Sequence, residues 1–210
     1  MSDPLNRLVA RIRACRVCRD APRGRAAPLP HEPNPIIRAR ITARICIASQ
    51  AAGTRAHASS TPFNDPSGVR LRAWMGLDRD TFYDEGLVAI VPMGFCFPGL
   101  DAKGGDRPPR KECAPLWRSS VFEHLPALDL ILLVGAHAQK WHLGKDAHRT
   151  LTDTVAAWRS YGPRFLPMPH PSWRNNVWLK ANPWFEADVL PHLRERVARL
   201  VREPQRERGA

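Results

Sequence analysis

The chain contains no stretch of about 18 consecutive apolar residues, which is the length that a membrane-spanning helix needs. Residues 1–8 also lack the apolar run of a secretory signal peptide. We therefore expect a cytoplasmic protein that does not enter the membrane. Because thiols in that compartment stay reduced, the five cysteines are not expected to form a disulfide framework, and metal binding or burial is the better expectation.

Motifs of several enzyme classes are missing. There is no glycine-rich phosphate-binding loop, no dinucleotide-binding fingerprint and no pair of metal-binding carboxylates, so phosphoryl transfer and hydride transfer are unsupported. An excess of basic residues is present instead, because 32 Lys and Arg outnumber 20 Asp and Glu and give a net charge of +12. Much of this charge is arginine, which binds phosphates well, so nucleic acid is the favoured partner; a generic basic protein is the alternative.

Strands and helices are predicted to alternate along the chain. Short apolar runs at residues 45–48, 88–91, 129–134 and 165–168 predict buried strands. Helices are predicted at 110–122 and 136–143, and a first amphipathic helix has apolar residues at 5, 8, 9 and 12. This alternation predicts a three-layer α/β/α fold with a central, mostly parallel four-stranded sheet, in one domain over 1–201 followed by a disordered tail over 202–210.

Two further helices are predicted from their N-terminal residues. Asp65 and Pro66 have the chemistry of an N-cap and a first helical position. Asn182 and Pro183 have the same chemistry before the apolar stripe of the last helix. Segment 21–35 is rich in Pro and Arg and predicts an irregular surface connection.

Ligands of parallel α/β sheets bind beyond the carboxyl ends of the strands. That rule places four segments around one crevice. They are residues 49–53, 92–98, 135–137 and 169–174.

Four of the cysteines have the spacing of a metal site. Cys15 and Cys18 form a Cys-x-x-Cys pair, and Cys96 and Cys113 are separated by 16 residues. Four thiolates can ligate zinc or a [4Fe–4S] cluster, and the spread of the second pair favours the cluster. The alternative is that only the first pair matters. Cys46 lies inside the first predicted strand, so we expect an inert core residue.

Several motifs in this order resemble those of the iron–sulfur uracil-DNA glycosylases of bacteria and archaea, from Leu5 to about Val201. The Cys-x-x-Cys pair follows a first helix, Ser49-Gln50-Ala51-Ala52-Gly53 resembles the family's Gly-Glu-Ala-Pro-Gly motif, and Pro62-Phe63 precedes Gly68. Phe95-Cys96-Phe97-Pro98-Gly99 resembles the segment with the third cysteine, and Cys113 corresponds to the fourth. The run 132–139 resembles the third strand and helix, and His170-Pro171-Ser172 matches the closing motif.

The resemblance implies a monomeric DNA-repair enzyme that flips uracil or another damaged base out of DNA and hydrolyses its N-glycosidic bond. It implies a [4Fe–4S] cluster on Cys15, Cys18, Cys96 and Cys113. His170 would donate a hydrogen bond to the departing base, and Phe63 would stack on that base. Ser49 and Ala51 would contact the base, and Gly53 would contact the DNA. The loop of Ser172, Trp173, Arg174 and Asn175 would enter the minor groove, where Trp173 or Arg174 would be the wedge that fills the space left by the flipped base.

Two positions depart from the family pattern. Gln50 stands where the family has an acidic residue that handles the attacking water, and it is a catalytic candidate because its amide can orient a water, although it cannot take a proton. Asp65 is the nearest replacement, although a helix N-cap is its alternative role, and His57 is a weaker candidate. Pro92 stands where the family has the Asn that reads uracil, so Asn64 is a candidate substitute and base selectivity is expected to be relaxed.

Two other functions stay open at this point. Gln50 and Pro92 are compatible with a DNA-binding protein that has lost catalysis. An iron–sulfur or zinc redox sensor is a third hypothesis, and the crevice motifs argue against it.

Overall fold

The computed structural model describes residues 3–24 and 26–203. Within these ranges the chain forms four strands and ten α-helices. The strands are β1 (Ile45–Ala48), β2 (Val88–Ile90), β3 (Leu130–Val134) and β4 (Phe165–Met168). The helices are α1 (Pro4–Arg13), α2 (Val17–Asp20), α3 (Thr54–Ser59), α4 (Pro66–Met75), α5 (Arg79–Tyr83), α6 (Cys113–Glu123), α7 (Ala136–Leu143), α8 (Leu151–Ala156), α9 (Asn176–Ala181) and α10 (Leu190–Arg202).

The strands form one sheet in the order β2-β1-β3-β4, and every pair is parallel. In the register, Ile45 lies opposite Val88 on one side and Leu130 on the other. Helices cover both faces of this sheet. The predicted three-layer α/β/α fold with a four-stranded parallel sheet is therefore confirmed.

Alternating strand residues supply two separate cores. Cys46 and Ala48 point into the layer that contains α1, α6 and α7. Ile45 and Ile47 point into the layer that contains α4, α5 and α10. This is the expected result of period-two side-chain alternation in a sheet that is buried on both faces. Cys46 is fully buried, so its assignment as a core residue is confirmed.

The predicted start of α4 is confirmed. The Asp65 Oδ1 atom accepts a hydrogen bond from the Gly68 N–H at 2.9 Å, and Pro66 is the first helical residue. The helix predicted over 110–122 begins at Cys113 instead. Arg110 forms a turn before it, because its side chain donates to the Ala27 carbonyl and pairs with Glu112.

Asn182 was wrongly assigned as the cap of the last helix. Its Nδ2 atom donates to the Trp178 carbonyl at 2.8 Å, so its side chain terminates α9 instead. A π-helical turn over Phe185–Val189 then leads into α10. Pro191, near the start of α10, has no N–H to donate, and the wide π turn accommodates that gap in the hydrogen-bond ladder.

The end of α10 is joined to the start of the sheet through Arg44. This buried guanidinium pairs with Asp129 at 2.8 Å and with the Glu203 carboxylate at 3.1 Å. The predicted disordered tail over 202–210 is therefore wrong for its first two residues, because Arg202 is the last residue of α10 and Glu203 belongs to this contact; 204–210 lie outside the described residues. No helix in the described ranges is long and apolar enough to cross a bilayer.

A second buried arginine, Arg118 of α6, lies behind the end of β2. Its Nη1 atom donates to the carbonyls of Val91 and Pro92 at 2.6 and 2.8 Å. Its Nη2 atom lies 2.6 Å from Nε2 of His142. Because a guanidinium has no acceptor atom, the His142 Nε2 atom must accept and that imidazole must be neutral.

Candidate functional site

A cleft of about 620 Å³ opens beyond the carboxyl ends of β1, β2 and β4. It is bounded by the segment after β1, the start of α4, the loop after β2 and the loop after β4. Of the twelve catalytic, base-binding and DNA-binding residues predicted, eleven line it: Ser49, Gln50, Ala51, Gly53, Phe63, Asp65, His170, Ser172, Trp173, Arg174 and Asn175. Residues 135–137 were expected at the crevice but do not line this cleft.

His170 follows β4, and backbone contacts fix its position. Its Nδ1 atom accepts a hydrogen bond from the Ser172 N–H at 3.2 Å, and its carbonyl accepts one from the Asn175 side chain at 2.7 Å. Burial lowers the pKa of His170 below its ordinary value, while Asp65 acts in the opposite direction. A neutral imidazole whose Nδ1 accepts carries its proton on Nε2, which makes Nε2–H a hydrogen-bond donor at the cleft.

Phe63 lines the cleft in an uncommon backbone conformation, with φ of 56°. Its ring packs edge-on against Phe82, with centroids 6.2 Å apart. Its carbonyl oxygen lies so close to Gly68 that a Cβ atom built at 68 would be 1.7 Å from that oxygen. Glycine is therefore required at 68, and this close approach explains why Pro-Phe and the later glycine occur together.

The segment after β1 continues the parallel pairing with the segment after β2. The carbonyls of Ser49 and Gln50 accept from the N–H groups of Met93 and Gly94 at 2.8 and 2.9 Å, and Ala51 forms a bridge with Gly94. These bonds hold the small residues of this segment at the floor of the cleft. The Gln50 side chain lies against Gly135, where a Cβ would be 3.0 Å from its Nε2 atom.

The other candidates for the attacking water and for base reading are placed differently. Asp65 lines the cleft, but its Oδ1 atom is engaged by the Gly68 N–H. His57 packs against His31 and Phe97, with ring centroids 4.3 and 5.8 Å away, and does not line the cleft. Asn64 is exposed and does not line it either.

The rim of the cleft is basic and carries an exposed aromatic ring. Among the lining residues are Arg55, Arg70, Arg107 and Arg174. Trp173 is 70% exposed, and the Arg174 guanidinium lies 5.8 Å from the centre of its ring. Residues 173–175 form a 3₁₀ turn, so the predicted wedge is a short helical projection that continues into α9.

Asp106 is a cleft residue that the sequence did not reveal. It lies on a hairpin after β2, in a Gly, Pro and Arg-rich stretch that is typical of a surface loop. Burial raises the pKa of Asp106, the neighbouring Asp65 and Asp101 carboxylates raise it further, and Arg174 lowers it. No sequence pattern pointed to this residue, because only the fold brings the hairpin to the cleft.

The four cysteines of the predicted cluster line one small, almost wholly apolar cavity together with Ile12, Leu29, Phe95 and Trp117. The Phe95 N–H donates to the Cys113 sulfur at 3.4 Å. Burial raises the pKa of the Cys96 and Cys113 thiols to about 12. Among the described residues, no group of three or more His, Cys, Asp or Glu side chains is arranged so that it could hold a metal ion. The four cysteines share this cavity, and thiolates are the usual protein ligands of a [4Fe–4S] cluster.

Comparison with known proteins places most of the chain in one family. The model of the uracil DNA glycosylase superfamily matches residues 38–194. The match includes Cys96 and Cys113 and begins after Cys15 and Cys18. A solution NMR structure from Methanosarcina acetivorans, of a protein provisionally assigned as a uracil DNA glycosylase, is 16% identical, with a TM-score of 0.42 over 75% of this chain and 94% of that chain.

Proposed function

Because the chain belongs to the uracil DNA glycosylase superfamily, we propose that it is a monofunctional glycosylase that removes uracil and other deaminated bases from DNA. It acts as a monomer in the cytoplasm and leaves an abasic site. The observation that supports this proposal best is the hydrogen bond from the Ser172 N–H to Nδ1 of His170. That bond directs a neutral imidazole to present its Nε2–H in the cleft.

The reaction needs such a donor at the departing base. As the N-glycosidic bond breaks, its electron pair moves to the base, and negative charge develops on the base oxygen. A donor already fixed in place stabilises that charge without reorganisation, and loss of one such donor typically costs about 10²- to 10³-fold in rate. The backbone bonds from Ser172 and Asn175 give His170 that fixed position.

The remaining lining residues suit a flipped nucleotide. Phe63 offers an aromatic surface on which the base stacks, and its position is held by the close contact with Gly68. Trp173 projects from the rim and fills the space that the extruded base leaves in the duplex. The four rim arginines bind the flanking phosphates.

Base selectivity is expected to be broad. Pro92 lines the cleft at the end of β2 and has no side-chain group that can read the uracil edge. Its carbonyl is engaged by Arg118. Without a paired donor and acceptor, the pocket rejects related bases less strongly, so hypoxanthine and xanthine are tested beside uracil.

The test is single-turnover release of uracil, hypoxanthine and xanthine from single- and double-stranded oligonucleotides. His170→Ala should lower the excision rate by roughly 10²-fold while DNA binding changes little. His148→Ala, at an exposed histidine that does not line the cleft, is the matched control and should behave as the unmodified protein. Release of none of these bases would favour a DNA-binding protein without catalysis.

The bond is expected to be cleaved by water rather than by an enzyme amine. No lysine is among the described residues that line the cleft. An amine nucleophile would form a Schiff base with the sugar, and borohydride would trap it. We expect no trapped adduct and an abasic strand that breaks only after alkali; an adduct would contradict the monofunctional mechanism.

We also propose that Cys15, Cys18, Cys96 and Cys113 hold a [4Fe–4S] cluster. The support is their position around one apolar cavity and the amide donor at the Cys113 sulfur. When bound, such a cluster would link the segment after α1 to the loop after β2 and to α6. The Phe95 N–H would then stabilise a thiolate ligand.

Iron analysis of anaerobically purified protein tests this proposal. We expect about four irons per chain and a brown colour. Cys113→Ala should lose the iron, whereas Cys46→Ala, at a buried cysteine outside the cavity, should keep it. Stoichiometric zinc without iron, or iron loss in the Cys46 variant, would contradict the ligand assignment.

A further inference from the structure

The hairpin that carries Asp106 is a well-defined element over residues 99–107. The Arg107 N–H donates to the Gly99 carbonyl at 2.9 Å, and Leu100 and Asp106 form an antiparallel bridge. At its tip, the Asp101 carboxylate accepts from the N–H groups of Lys103 and Gly105 at 2.8 and 2.9 Å. These bonds fix the direction in which the Asp106 side chain leaves the hairpin.

The Asp106 carboxylate reaches across to the segment after β1. A Cβ built on Gly53 would lie 3.1 Å from the Asp106 Oδ2 atom, so the carboxylate occupies the space that a side chain at 53 would need. Within the described chain this carboxylate makes no hydrogen bond or ion pair. Asp65 differs, because its Oδ1 atom caps α4.

We propose that Asp106 is the catalytic base that activates the hydrolytic water, an inference that rests on the glycosylase function proposed above. Water must attack the sugar on the face opposite the departing base. The base donor and the water acceptor therefore belong on different walls of the cleft, as in inverting glycosidases. His170 follows β4 at one edge of the sheet, whereas the Asp106 hairpin follows β2 at the other.

The step balances with water as the only co-reactant. The water oxygen forms a bond to the anomeric carbon of the sugar, and one water proton passes to the Asp106 carboxylate. The N-glycosidic bond breaks, and its electron pair leaves with the base, whose oxygen accepts a hydrogen bond from His170. The proton on Asp106 is released to solvent when the products leave.

The surroundings of Asp106 suit a base. Asp65 faces it from the start of α4, Asp101 from its own hairpin, and Arg174 from the loop after β4. The two carboxylates and burial raise the pKa of Asp106, which strengthens it as a proton acceptor, and Arg174 opposes this. A negative carboxylate beside the sugar also stabilises the positive charge that develops there.

The experiment compares Asp106→Asn with Asp80→Asn in single-turnover release of uracil from a single-stranded oligonucleotide. Both changes remove one negative charge, and Asp80 is exposed on α5 and does not line the cleft. Asp106→Asn should lower the rate by roughly 10²-fold or more, the scale for loss of a general base, with DNA binding unchanged or tighter. Asp80→Asn should retain the rate.

A further variant and the pH profile separate catalysis from folding. Asp106→Glu keeps a carboxylate and should retain more activity than the Asn variant. In the unmodified protein the rate should fall as pH drops through the raised pKa of Asp106, and this acidic limb should be absent in Asp106→Asn.

The two proposals fail in different ways. If the unmodified protein releases no base, the glycosylase function itself is wrong. If the unmodified protein is active and Asp106→Asn has the same rate and the same acidic limb, the role of Asp106 is overturned while the glycosylase function stands.

Discussion

The contact between Arg118 and His142 predicts a pH-dependent stability. Burial, followed by the charges of Arg118 and Arg164, lowers the pKa of His142 from its ordinary value of 6.5 to about 3. Burial lowers the pKa of Arg118 to about 10, so the guanidinium stays charged at neutral pH. Protonation of His142 would place two cations 2.6 Å apart, with no acceptor between them.

The direction in which stability changes with pH follows from this lowered pKa of His142. Between about pH 6.5 and about pH 3 the unfolded chain binds a proton at His142 that the folded chain does not. Stability is therefore fully present above the unfolded pKa and is lost as pH falls. At about 1.4 kcal/mol per pH unit, the titration of His142 lowers the free energy of unfolding by roughly 2 to 3 kcal/mol between about pH 7.5 and about pH 4.5.

Urea denaturation over that range, for the unmodified protein and for His142→Gln, measures the effect. Gln offers a carbonyl acceptor to Arg118 and does not titrate. The variant loses the ring contacts with Phe122 and Phe165, so it should be less stable at neutral pH. The difference in free energy of unfolding should then shrink by roughly 2 to 3 kcal/mol on acidification, because only the parent protein loses this contribution. If the free energies of unfolding of the two proteins changed with pH in parallel, the assignment of His142 as a buried neutral acceptor would be refuted.

Three other outcomes are expected. DNA affinity should fall steeply as salt rises, because the rim arginines displace condensed counterions; a flat response in a filter-binding or anisotropy titration would contradict phosphate binding. Trp173→Ala should weaken base flipping on duplex DNA, measured with a fluorescent base analogue beside the lesion. Trp141→Ala, which removes a partly exposed tryptophan on α7, is its control, and equal effects would remove the wedge assignment. Asp65→Asn should keep the melting temperature, whereas Asp65→Ala should lose about 1 kcal/mol of stability with the N-cap; a loss in both would point to another role.

The sheet could be predicted from the sequence because its strands are short, continuous apolar runs. Ile45–Ala48 and Leu130–Val134 are buried on both faces, so their composition alone marks them. The start of α4 was equally clear, since Asp before Pro is ordinary N-cap chemistry, while a role of Asp65 at the attacking water stayed open. Asn182 also precedes a proline, but its side chain donates to the Trp178 carbonyl in the preceding helix. Only the three-dimensional packing of α9 decides whether this side chain caps the helix before it or the helix after it.

The cleft residues that lie in recognisable sequence motifs were predicted, and those outside such motifs were missed. His170 and Phe63 lie in motifs with a known order. Asp106 lies among Gly, Pro and Arg residues, and its approach to Gly53 depends on the hairpin crossing the cleft. Arg118 was missed for a related reason, because an arginine in a helix usually faces solvent, and its partners lie 26 and more residues away in sequence or in another helix.

The strand order has a consequence for how the chain is made. β1 is synthesised before the other three strands but lies inside the sheet. Its two edges can therefore pair only after both β2 and β3 have been synthesised. The face formed by Ile45 and Ile47 stays uncovered longer still, because α10 supplies much of its cover and follows all four strands in the described chain. Parallel strands close over long separations and form slowly. A nascent chain therefore exposes this apolar face until translation has passed Leu200, and we expect it to depend on chaperones during that interval.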